Sequence, residues 1–105
     1  MLLGATVRPM VYELAIATVD PAKRDEYIRI WQKAWKEAAF EGSRGVKALR
    51  CVEDPGRVAM LISWDSVEAH QQHRGTDKHN RFRETFRPHQ AAPSVVQHYE
   101  IEDID

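Results

Sequence analysis

The stretch "RVAMLISWDSVEAHQQHRGTDKHNRF", Arg57 to Phe82, decides the fold. Its first eight residues read as a strand with apolar side chains on both faces. Val58, Met60, Ile62 and Trp64 make one set, and Ala59 and Leu61 with Ser63 make the other. An antiparallel strand with one face in water alternates apolar with polar residues. This one does not, so both faces of its sheet are expected to be covered. After Trp64 the period changes. Asp65 or Ser66 caps a short helix that runs to Arg74, Gly75 breaks it, and Thr76-Asp77 starts a second helix that runs to Arg87.

Working outward, "DPGR" (Asp54 to Arg57) reverses the chain with Pro and Gly, so "GVKALRCVED" before it is the partner strand of a hairpin. "MVYELAIATV", Met10 to Val19, is a further strand, apolar on both faces apart from Glu13. Asp20-Pro21 then supplies an N-cap and a first helical residue. Tyr27, Ile28, Trp31, Ala34, Trp35 and Ala38 recur at helical spacing, and Gly42 and Gly45 punctuate the end. Pro88 and Pro93 bracket a loop before the last strand, "SVVQHYEI". The order is strand, helix, strand, strand, helix pair, strand. It predicts an α+β, ferredoxin-like fold: a four-stranded antiparallel sheet with helices on one face. The helices cover only that face. An apolar opposite face exceeds the few hundred Å² that monomers usually expose. A second copy packed sheet on sheet, a homodimer closing into an α+β barrel, is the expected cover. Residues 1–9 read as an N-terminal arm and residues 10–105 as the domain.

A chain of 105 residues makes one domain, and 43% hydrophobic with 30% charged residues is the balance of a soluble globular protein. A net charge of −1 provides no basic field for nucleic acid or an anionic membrane. The single cysteine, Cys51, forms neither an internal disulfide nor a CxxC pair, which suits a reducing, cytoplasmic setting. "MLLGATVRPM" lacks the basic region and apolar length of a secretory leader, and no stretch reaches the ~18 apolar residues of a membrane span.

Trp64, Ser66, Ala69, His73, Thr76, His79 and Phe82 together follow the spacing W-x-S-x-x-A-x-x-x-H-x-x-S-x-x-H-x-x-F. That pattern, the closing His98 to Glu100 and the strand order make residues 10 to 102 resemble the antibiotic biosynthesis monooxygenase (ABM) family of dimeric α+β barrels. The resemblance implies that the face carrying Val67 and His70 meets the sheet and lines a cleft. It also implies cofactor-independent oxygenation of a small phenolic substrate, quinol-like or polyketide-like. The chain departs from the pattern at His70, where members usually carry an apolar residue. It also departs from the haem-degrading branch at His73, Arg83 and Glu13, so haem degradation is not implied.

The histidines have three readings. As metal ligands, His70 and His73 share a helix face, but no third ligand falls at metal-site spacing and there is no HExxH, so no metal is expected. As bases, His70 replaces a buried apolar side chain, and His79 shares a face with Phe82 and Phe86; each imidazole titrates near working pH. As structural groups, His79 caps or packs the helix pair and His73 is solvated beside Arg74. Glu13 is the lone charge of an apolar strand; facing inward, its carboxyl has a raised pKa. Trp64 either floors a cavity for flat ligands or packs the core. Arg50 either binds an oxyanion or pairs with Glu53, and Arg83 is a second cationic helper.

Cofactor-free oxygenation needs an apolar site, a base that ionises a phenol, and an oxyanion partner. The expected parts are His70, Glu13 and His79 as catalytic groups, with Trp64, His73, Phe82, Arg83, Phe86 and Arg50 around the substrate. No cofactor is expected. The same parts serve a non-oxidative cyclase, isomerase or lyase, and a ligand-binding, stress-associated barrel without chemistry is a third reading.

Overall fold

The computed structural model describes residues 10–105, so the expected N-terminal arm lies outside the described residues. Strand β1 (Val11–Thr18) leads through a 3₁₀ turn (Pro21–Lys23) into helix α1 (Arg24–Ala38). Strands β2 (Ser43–Arg50) and β3 (Arg57–Trp64) form the hairpin; short helix α2 (Val67–Gln71), helix α3 (Asp77–Phe86) and strand β4 (Val95–Tyr99) follow. The sheet is antiparallel in the order β2-β3-β1-β4, the ferredoxin-like arrangement the sequence predicts.

The capping chemistry acts where the sequence places it. Asp20 accepts from the Ala22 N–H, Ser66 from the Ala69 N–H and Thr76 from the His79 N–H. The end of α1 differs from expectation: the helix stops at Ala39, which takes φ 47°, well before Gly42. The reversal tucks Phe40 into the core, 5.5 Å from Trp35 and 5.2 Å from Phe82 between ring centroids. Burial of that ring offsets the ~1–2 kcal/mol a left-handed alanine costs. Gly42 is required for space, because a Cβ there would stand 2.9 Å from the Ala69 Cβ. β2 starts earlier than expected, since Gly45 (φ 124°) lies within a register irregularity that keeps Ser43 paired with Trp64.

Val58, Met60, Ile62 and Trp64 of β3 point toward the helices and are almost fully buried. They pack against Trp31, Ala34 and Ala38 of α1 and Phe82 and Phe86 of α3. On the opposite face Tyr12, Leu14, Ile16 and Leu61 remain half-buried, and Leu49, Val95 and Tyr99 are exposed. No helix among the described residues is long and apolar enough to cross a membrane.

Candidate active site

Between the helix face of the sheet and the helices lies a cavity of about 340 Å³, at the lower end of the size of small-molecule sites. α1 contributes Tyr27, Trp31 and Trp35, and α3 contributes Phe82 and Phe86. Trp31 is a core residue as its spacing predicts and Trp35 packs partly buried against that core; both also line the cavity. Tyr27 fixes one end through its hydroxyl, which donates to Gln90 Oε1 at 2.9 Å, and Gln90 in turn donates to Ser94 Oγ. Burial raises the Tyr27 phenol well above its ordinary pKa, so it stays neutral.

The sheet supplies the chemistry. Alternation along β1 turns Glu13 toward the helices, among Val11, Ala15 and Ala17. Its register neighbours are Ile62 on β3 and His98 on β4. Glu13 Oε1 accepts from Trp64 Nε1 at 2.9 Å and lies 3.3 Å from His70 Nε2. His70 Nδ1 lies 2.7 Å from His98 Nε2. One assignment of protons satisfies all four groups. His98 donates to His70, His70 donates to the Glu13 carboxylate, and Trp64 donates to the same oxygen. Oε2 of Glu13 has no partner among the described residues and is left to the cavity.

Burial sets the electrostatics. It raises the Glu13 carboxyl above its ordinary value, against the lowering effect of the Trp64 hydrogen bond and the Arg74 charge. It pushes the His70 imidazole down to about 4, aided by His98 and Arg74. The His79 and His98 imidazoles are lowered too, first by burial. Burial thus favours the neutral form of His70, His79 and His98 and makes the Glu13 carboxylate a stronger base than a free one. The His70 ring stacks on Trp64 at 4.9 Å between centroids, which fixes its plane.

Of the residues singled out in the sequence, Glu13, Trp64, His70, His79, Phe82, Arg83 and Phe86 line the cavity. Arg50 and His73 do not. Arg50 sits at the far end of edge strand β2 and pairs with Asp25 on the surface, and not with Glu53. His73 packs its ring against Phe40 and Trp64 outside the cavity, with Nε2 2.8 Å from the Glu41 carbonyl oxygen. Three polar participants were missed. His98 is opposite Glu13 only once the β1–β4 register is known, although an unpartnered acid in an apolar strand signals that some donor must face it. Arg74 and Arg87 flank α3 and join Arg83 on the wall. Among the described residues no three His, Cys, Asp or Glu side chains converge as a metal ion requires.

These features sit within a recognised family. The antibiotic biosynthesis monooxygenase family model matches residues 10–85, and the chain belongs to that family. No curated protein matches it. Among solved structures it is similar to a proposed antibiotic biosynthesis monooxygenase from Bordetella bronchiseptica, at 23% identity and TM-score 0.81 over 90% of this chain and 98% of that one. A conserved protein from Methanosarcina mazei Go1 superposes with TM-score 0.74 at 18% identity, covering 91% and 96%. A proposed antibiotic biosynthesis monooxygenase from Caulobacter crescentus CB15 does so with TM-score 0.73 at 21% identity, covering 92% and 93%. At these identities the likeness is one of fold.

Proposed function

We propose that the protein is a cofactor-independent monooxygenase acting on a small phenolic aromatic. The observation that supports this reading is the Glu13 carboxylate. It is buried in an aromatic-walled cavity, one oxygen is held by Trp64 and His70, and the other is free. Glu13 Oε2 removes the phenolic proton. The phenolate's electron density spreads to its ring carbons, and one electron passes to O₂. The resulting radical pair joins in a carbon–oxygen bond, giving a peroxide that loses water as the ring carbon gives up its hydrogen. For 1-naphthol the balance is C₁₀H₈O + O₂ → C₁₀H₆O₂ + H₂O. The substrate supplies all four electrons, so no external reductant is needed. The aromatic wall holds the ring and excludes water. The Glu13–His70–His98 line points its hydrogen bonds inward, so it orients the carboxylate and stabilises its charge while Oε2 takes the phenolic proton.

The sheet's open face, with Tyr12, Leu14, Ile16 and Leu61, is covered in this reading by a second copy, which completes a dimeric barrel.

The test is oxygen uptake with 1-naphthol, without added flavin or metal, followed by chromatography of the quinone. Glu13→Gln is expected to lower turnover by about 10²-fold or more, the usual worth of a general base. The sign of the pH dependence follows from the raised carboxyl. Activity climbs with pH through a limb lying above the 4.5 of a free glutamate, and the limb disappears in Glu13→Gln. Proton exchange beside a carbonyl without oxygen uptake would instead establish the non-oxidative acid/base reading.

A further inference from the structure

Part of the cavity wall plays no role in that chemistry. Arg83 and Arg87 are four residues apart, so they share one face of the helix. Arg74 comes from the turn between α2 and α3, and all three line the cavity. Arg83 is half-buried, while Arg74 and Arg87 are exposed at the rim. Among the described residues none of the three guanidiniums is engaged in an ion pair. Arg44 and Arg50, by contrast, are both occupied by aspartates. Among the described residues the only acid on the wall is Glu13, and its Oε1 already serves Trp64 and His70. The chain as a whole carries a net charge of −1, so this local excess of cations is a property of the cavity and not of the surface at large.

A further observation points to a ligand. His79, on the same wall and 9% exposed, contains a buried Nδ1 with no hydrogen-bond partner among the described residues. Buried polar groups are kept unpaired chiefly where something else supplies the partner. The wall runs along α3 from His79, 6.4 Å from His70 between ring centroids, to Phe86, 6.2 Å from Tyr27, so Arg87 lies toward the Tyr27 end and Arg74 toward the His70 end. Like-charged guanidiniums around a small apolar cavity repel until an anion enters. A planar carboxylate matches the guanidinium fork with two parallel hydrogen bonds.

We propose that the cavity takes an aromatic carboxylate, its ring among Trp31, Trp35, Phe82 and Phe86 and its carboxylate held by Arg83 together with Arg87 at the Tyr27 end. The proposal rests on the reading of this cavity as the reaction site and narrows its substrate to a phenolic acid. The anion at the rim sets the ring's orientation, so that the hydroxyl at the opposite end reaches Glu13.

The test uses two probes of equal shape, 2-naphthoate and 2-naphthamide, titrated calorimetrically into the purified protein. Naphthoate is expected to bind about tenfold more tightly or better, equivalent to at least one charge-assisted contact. The gap should shrink when salt is raised to about 0.5 M, as screening requires, and close in Arg83→Gln/Arg87→Gln. Naphthamide affinity should be unchanged in that variant, which also reports that the fold is intact. Equal affinity of the two probes, binding of neither, or a preference that survives both salt and the double variant overturns the proposal. The oxygenase reading fails separately. It falls if 1-naphthol consumes no oxygen, whichever probe binds better, and the anion site falls if the preference is missing while naphthol is oxidised.

Discussion

His70 Nδ1 and His98 Nε2 lie 2.7 Å apart, joining a helix residue to an edge-strand residue across the rim of the cavity. With Glu13 3.3 Å from the other nitrogen of His70, the imidazole has a partner on both sides. A neutral ring so placed has one tautomer selected by its neighbours and donates to the carboxylate without becoming a cation. This suits a group whose pKa burial has pushed down to about 4.

Removing the outer partner tests the line. His98→Ala leaves His70 Nδ1 without its donor and is expected to slow oxygen uptake about tenfold, through loss of the selected tautomer and of the hydrogen bond it holds on Glu13. His98→Gln offers an amide N–H in a similar place and should recover most of the rate. If neither change moves the rate, or if Gln fails where Ala does, His98 has no part in holding the base.

The buried histidines also make stability depend on pH. The unfolded His70 binds a proton near 6.5, whereas the folded one resists until about 4. Its stabilising contribution is therefore complete above pH 6.5 and lost as pH falls toward 4, by about 3 kcal/mol at most. His79 and His98 act in the same direction. Glu13, raised, acts in the opposite one: its contribution is present below 4.5 and fades as pH rises through its folded value. Urea unfolding at pH 7, 5.5 and 4.5 should show the decline, and His70→Leu should flatten it. An unchanged slope in that variant would remove His70 as the cause.

Leu14 and Leu61 face each other in register on the sheet's open side. If a second copy covers them, Leu61→Asp buries a charge in the joint and should yield a species of 12.1 kDa by sedimentation, against twice that mass for the unmodified protein. Sedimentation of the unmodified protein at the single-chain mass would contradict the dimer.

Ala39 carries a side chain in left-handed backbone, at φ 47°. Ala39→Gly relieves that strain but frees the unfolded chain, so the net gain is expected to be about 0.5–1 kcal/mol. The midpoint of thermal unfolding should rise by several degrees. A fall would mean that the alanine methyl group makes contacts outweighing its strain.

Much of the fold was legible because its signals are local. The β3 alternation, the DPGR turn and the Asp20, Ser66 and Thr76 caps each depend on neighbours a few residues away. The end of α1 was not, because Ala39 is held left-handed by where Phe40 must go, and that is decided by distant rings on Trp64 and Phe82. The candidate site divides similarly. Glu13 and His70 stand out as polar residues at apolar positions. His98 looks ordinary until β4 is set against β1. Arg50 has the right parity for the helix face, but its position along β2 takes it beyond the cavity to Asp25.

The parallel stack of His70 on Trp64, tilted by only 19°, gives the protein an internal optical indicator. An imidazolium ring pressed against an indole withdraws electron density from its excited state, so emission from Trp64 should dim as His70 gains a proton. The ionisation of one buried side chain can then be followed by light, with no label attached.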